Sequence, residues 1–162
     1  MSFLPLVYHN HYSIPFPAGH RFPMQKFALL EEELRRVGVL TDSNLFSPSP
    51  MSLTTLMRAH SAEYVQNFVR GNMSAKAMRE IGLPWSDWLV ERTFRAVSGT
   101  LLTADLALEY GIAAHLAGGT HHAFSNRGEA FCMLNDQAIA AKYLQNKGLV
   151  NRILIVDLDV HQ

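Results

Sequence analysis

The sequence predicts an α/β fold built on a parallel sheet, and three observations carry the prediction. Ile153-Leu154-Ile155-Val156 is an unbroken aliphatic, β-branched run, the mark of a strand covered on both faces. Ile112 to Ala117 is a second short apolar segment, ending in the tight-turn pair Gly118-Gly119. Between them, Asn135 or Asp136 can cap a helix that runs through Asn146 and closes at Gly148. Strand, loop, helix, strand is a βαβ unit, whose crossover is expected to be right-handed.

The remaining elements follow in chain order. Leu4 to Tyr8 reads as a short strand, and a loop rich in His, Pro and Gly follows from Asn10 to Pro23. Pro23 suits the first turn of a helix reaching Val37, because Met24, Phe27, Leu30, Leu34 and Val37 recur at three- and four-residue spacing before Gly38. Two more helical stretches cover Ser52 to His60 and Ala62 to Arg70. A longer helix starts at the N-cap Ser86 and runs to Tyr110, before Gly111.

A chain of 162 residues is one domain's worth. Hydrophobic residues at 48% against 17% charged exclude a disordered chain. Fourteen basic and fourteen acidic residues cancel, so no broad field attracts nucleic acid or an anionic membrane. The N-terminal run has no basic lead and is too short for a signal peptide, and no stretch approaches the length of a membrane span. The lone Cys132 cannot form an internal disulfide, so a reducing cytoplasm is the expected location.

In open parallel sheets, ligands sit beyond the carboxyl ends of the strands. The two strands of the βαβ unit end in Gly118-Gly119-Thr120-His121-His122 and in Asp157-Leu158-Asp159-Val160-His161. In an extended chain Asp157, Asp159 and His161 share a face. Two converging carboxylates repel, and a divalent cation relieves the repulsion; carboxylate oxygen with imidazole nitrogen suits zinc or another first-row transition metal. A bare D-x-D-x-H can equally be a strand end with solvated acids. Its place directly after a buried strand favours a metal. Adjacent imidazoles after two glycines can be metal ligands or an acid-base pair, and in isolation they are more often an ordinary loop. Paired with the acidic strand end across one βαβ unit, they are better read as ligands or an acid-base pair than as an ordinary loop.

Gly118-Gly119-Thr120-His121-His122-Ala123, then Phe131-Cys132-Met133-Leu134-Asn135-Asp136, then Asp157-Leu158-Asp159-Val160-His161-Gln162 resemble, in order and spacing, three consecutive motifs of the histone deacetylase superfamily. Gly19 to Met24 and His60 to Tyr64 extend the likeness over nearly the whole chain, and the His-Gln ending resembles bacterial and class IV members. The resemblance implies a three-layer, arginase/deacetylase-like fold, incomplete here, with residues 1–162 forming the N-terminal part of one catalytic domain. It implies Zn2+ held by Asp159 and His161 plus a later aspartate. It makes His121 and His122 the groups that deprotonate the zinc-bound water and protonate the leaving amine. Asp157 would orient the first of them and also contribute to a monovalent-cation (K+) site. Phe131 would line a tunnel around the aliphatic part of an acyl-lysine, Arg21 would lie near the inner cavity, and Cys132 reads as core packing.

Three departures qualify the match. Ala130 stands where the family usually has glycine; Ile81-Gly82-Leu83-Pro84 lacks an acidic residue that some members use to hold a substrate backbone; and the third ligand and an oxyanion-stabilising tyrosine would follow Gln162. The expectation is therefore a zinc-dependent amide hydrolase acting on acylated lysine or a small acylated amine such as a polyamine. The chain itself is expected to be an inactive fragment prone to aggregate or form homo-oligomers. The alternatives are a dimanganese ureohydrolase-like enzyme and a catalytically dead binding or dimerisation module.

Overall fold

A computed structural model describes residues 3–161. Met1, Ser2 and the Gln162 of the His-Gln ending lie outside the described residues. The sheet has three parallel strands in the order β2-β1-β3, with β1 at Leu6–Val7, β2 at Leu45–Phe46 and β3 at Ala114–His115. The register pairs Leu6 with Leu45 and Ala114, and Val7 with Phe46 and His115. The ladder bonds Leu6 N–H to the Asn44 carbonyl at 2.8 Å and Leu116 N–H to the Val7 carbonyl at 3.0 Å hold the central strand on both edges. Leu6 and Val7 are buried, as a central parallel strand demands.

Six α-helices lie among the described residues: α1 (Lys26–Arg36), α2 (Leu53–Leu56), α3 (Ala62–Arg70), α4 (Ala75–Ile81), α5 (Asp87–Tyr110) and α6 (Asp136–Asn146). The spine is α5, which begins where the sequence predicts. Ser86 accepts from Leu89 N–H at 3.1 Å, and Gly111 ends the helix at φ +83°. It packs against α6, β1, β3 and a 3-10 turn at Asn10–Tyr12. Among the described residues no helix is long and apolar enough to cross a membrane.

Several expectations need correction. The Leu4–Tyr8 and Ile112–Ala117 strands shrink to two paired residues each. The first helix begins at Lys26, after a turn, and of its predicted stripe Met24 and Phe27 are buried while Leu30 and Val37 are exposed. The Ser52–His60 helix stops at Leu56. Arg58 and Ala59 close tighter turns onto Thr55 and Leu56, because His60 is drawn into the core. The sequence reading passed over β2 and α4, although Ser74 and Gly82 flank α4 as N-cap and left-handed C-cap.

The largest correction is Ile153–Val156, which is not a strand. Leu154 is 85% exposed, and no ladder bond reaches the segment. A run this apolar needs a neighbour on each side and cover on both faces. The described sheet offers two-residue strands and no such slot. The chain that follows turns onto its own backbone instead: Asp159 N–H donates to Asp157 Oδ1 at 2.9 Å, and His161 N–H to Asp159 Oδ1 at 2.6 Å. The predicted βαβ unit thus keeps its first strand and helix and lacks its second strand.

Candidate active site

The twin histidines follow β3 by way of Gly118, whose φ of +75° makes the turn. Their rings lie 3.9 Å apart between centroids, tilted by 45°. His121 Nδ1 faces Asp157 Oδ2 at 3.3 Å, so the loop after β3 and the acidic tail meet as the sequence predicts. His121 Nε2 is buried and has no hydrogen-bond partner among the described residues. A buried ring nitrogen without a partner is costly to leave so, and its lone pair is the feature a base needs.

The tail's own pair is Asp159 and His161. The His161 Nδ1 lies 2.8 Å from Asp159 Oδ1, and bonds from the His161 backbone and ring hold the Asp159 carboxyl below the usual carboxylate range. Asp157 Oδ1 accepts the Asp159 N–H while Oδ2 faces His121. The Asp159 and His161 side chains therefore pair with each other while Asp157 turns to His121, so the three do not share one face of a strand. Among the described residues no group of three or more His, Cys, Asp and Glu could hold a metal. The donor types of Asp159 and His161 nevertheless fit zinc, as two of the three protein ligands an open catalytic site uses.

Phe131 sits in a two-residue hairpin. Glu129 and Cys132 exchange N–H to carbonyl bonds of 3.0 and 2.8 Å, and the corner residues Ala130 and Phe131 have φ of +47° and +65°. Both corners of such a turn favour Asn or Gly, which gives the departure at Ala130 a physical meaning: an alanine occupies a left-handed position. The turn is anchored by α4, whose last carbonyls, Glu80 and Ile81, accept from Ala130 N–H at 3.1 Å and Phe131 N–H at 2.7 Å. The Ile81–Pro84 stretch, expected to matter for a missing acid, holds the Phe131 turn through the Ile81 carbonyl. Arg21 lies over the Phe131 ring at 4.7 Å, and Phe22 packs on it at 5.2 Å. Arg21 and Phe131, singled out separately in the sequence, thus form one contact.

Cys132 is buried, and burial pushes its thiol up to about 11, opposed by the His122 backbone N–H pointed at its sulfur. A thiol this basic stays protonated near neutral pH and packs as a small apolar group.

Sequence reasoning missed the residues that hold the histidine loop. Asp136 is 2% exposed and accepts Thr120 N–H at 2.8 Å. Asn135 donates to the His121 and Ala123 carbonyls, each at 3.3 Å, while its own N–H donates to the buried His60 Nε2 at 2.9 Å. The signal was the tandem Asn135-Asp136: one residue suffices to cap α6, and Asn135 does so by accepting from Ala138 N–H at 2.9 Å. The acid beside it was free for another task.

A family model for the histone deacetylase domain matches residues 20–162. The chain is 51% identical over 158 residues to an uncharacterized protein of Picosynechococcus sp., covering 98% of this chain and 53% of that one. It is 31% identical over 156 residues to the acetoin utilization protein AcuC of Bacillus subtilis, covering 90% of this chain and 40% of that one. It therefore spans about half the length, or less, of these curated relatives. In structure it is similar to an HDAC homolog from Aquifex aeolicus, with TM-score 0.68, 23% identity and coverage of 90% and 42%. It is also similar to the HDA15 HD domain, with TM-score 0.70, 15% identity and coverage of 91% and 44%. Identities this low show the shared α/β fold.

Proposed function

The chain belongs to the histone deacetylase family, and from that premise we propose that its 162 residues form part of a single catalytic domain of a zinc-dependent amide hydrolase. The observation that carries the reading is His121: one ring nitrogen faces Asp157 at 3.3 Å, and the other is buried and unpartnered beside His122. That is the arrangement of a base held in one tautomer by a carboxylate.

In this reading Asp157 keeps the proton of His121 on Nδ1, so that Nε2 accepts a proton from water. That proton then passes from the His121–His122 pair to the leaving amine. Asp159 and His161 are the donors that would hold zinc, and Asp157 would also contribute to a K+ site. Zinc, when bound, supplies the Lewis acidity that polarises an amide carbonyl and acidifies water. Phe131 gives the aliphatic part of an acylated lysine or polyamine an apolar wall, and Arg21 stacks on that ring near the inner cavity. The lone Cys132 fits a reducing cytoplasm, and a balanced net charge favours acylated amines over nucleic acid as substrate.

The test is metal binding followed with a competing chromophoric chelator. The isolated chain is expected to bind zinc weakly, with Asp159→Asn and His161→Ala each abolishing the binding and Phe131→Ala leaving it intact. It is expected to show no acetyl-lysine hydrolysis, because two metal donors are one short of a catalytic set. Zinc affinity unchanged in both ligand variants, or two manganese ions bound in place of zinc, would overturn the reading. Tight stoichiometric zinc with turnover would overturn the expectation of inactivity.

A further inference from the structure

Asp136 is one of the most deeply buried carboxylates of the described chain, and its bonds lie with the catalytic loop. Asp136 Oδ1 accepts the Thr120 N–H at 2.8 Å and lies 2.7 Å from the Thr120 hydroxyl. The same hydroxyl lies 2.6 Å from the Leu134 carbonyl, so its single proton is shared between two acceptors. Asp136 Oδ2 accepts from the Thr100 hydroxyl of α5 at 2.5 Å. No cation lies within ion-pair distance among the described residues. The compensation comes from these donors and from the N-terminus of α6, where Asp136 is the first helical residue.

Thr120 is the residue immediately before His121. With its N–H and hydroxyl held, the main chain entering the twin-histidine pair has one position; Asn135 holds the carbonyls of His121 and Ala123 on the exit side. Thr120 touches neither imidazole ring by hydrogen bond, and Asp136 is farther still. What the pair controls is where the rings of His121 and His122 begin.

We propose that Asp136 is a positioning residue for the His121–His122 pair, acting through the main chain and hydroxyl of Thr120. The inference deepens the deacetylase reading and rests on it for the task of the two imidazoles. Asparagine in place of Asp136 would turn an N–H2 group or a weaker acceptor toward Thr120. A valine at position 120 keeps the shape and the N–H bond while removing the hydroxyl.

The test reads the tautomer of His121 in the chain itself by long-range 1H–15N correlation NMR, at about pH 8.5, above the ordinary imidazole range. His60 serves as an internal control: its Nε2 accepts from Asn135 N–H, so it also carries its proton on Nδ1, and it sits against the same helix cap. In the unaltered chain both rings are expected as Nδ1–H tautomers. Asp136→Asn and Thr120→Val are expected to shift His121 to a majority of the Nε2–H form while His60 keeps its signal. Thr120→Ser, which restores the hydroxyl, is expected to restore the His121 signal.

A His121 signal unchanged in both disrupting variants overturns the proposal. So does loss of both the His121 and His60 signals without recovery in Thr120→Ser, which makes Asp136 a fold-holding residue only. The readout needs neither metal nor turnover. A chain that behaves as expected here while its zinc affinity ignores Asp159 and His161 would sink the deacetylase reading and leave the positioning role standing.

Discussion

The loop after β3 and the tail after α6 carry complementary parts of one motif set, and the protein treats them in opposite ways. His121 and His122 stand on a loop tied to buried Asp136, to Asn135 and to the Cys132 turn. Asp159 and His161 stand on a segment exposed along its whole length from Asn151, held mainly by turns onto its own backbone. The tail is the more apolar of the two in sequence. The difference teaches that hydrophobicity orders a segment only where partners exist to bury it: Leu134 is 1% exposed and Leu154 85%, although both are leucines beside a site motif.

The sharpest way to break this comparison is a matched pair of truncations. Leu134→Ala is expected to cost about 2–5 kcal/mol of unfolding free energy, the range for a fully buried leucine. Leu154→Ala should stay within about 0.5 kcal/mol, as for a surface change. Both are read from urea denaturation, and a comparable cost at Leu154 would show the tail to be packed.

A smaller effect comes from the polar core that backs the loop. Burial lowers His115 to about 4, with its ring 2.7 Å from the Tyr12 hydroxyl and 3.1 Å from the Thr100 hydroxyl that also serves Asp136. Burial lowers His60 as well. A histidine depressed in the folded state binds its proton first in the unfolded chain, so its neutral form favours folding at high pH. Stability should therefore hold above about pH 6.5 and fall as the pH drops toward 4. The loss from His115 is about 3 kcal/mol, the linkage value for a shift of this size. His115→Gln should flatten that slope in melts recorded from pH 7 to about pH 4.5, a window that lies between the ordinary imidazole value and that of buried His115; an unchanged slope would place the pH sensitivity elsewhere.

The smallest effect separates strain from packing. Ala130→Gly relieves a left-handed alanine and should stabilise the chain by about 0.5–1 kcal/mol. The same change should leave the Phe131 anchor on the Glu80 and Ile81 carbonyls in place, which the hydrogen-exchange protection of the Phe131 amide reports.

Much of the molecule was legible in the chain. The caps of α5 and α6 are written in single residues, Ser86 and Asn135, because a cap is a local bond between a side chain and an N–H two or three positions on. The parallel sheet and the meeting of His121 with Asp157 were legible as well, the first from the apolar segments that hold β1 and β3 and the second from motif order. The sequence by itself determined these local and patterned features, and with them the family.

Tertiary structure alone decided the rest. Whether Ile153–Val156 becomes a strand depends on neighbours at its edges and faces, which no property of the run itself supplies. Whether Asp136 caps its own helix or holds the loop that bears His121 depended on Thr120, sixteen residues earlier in the chain, folding back onto it. The physical reason is the same in both cases. A backbone cap or an apolar period is satisfied within a few residues, whereas a ladder bond and a buried carboxylate are satisfied only by groups that the fold brings from elsewhere.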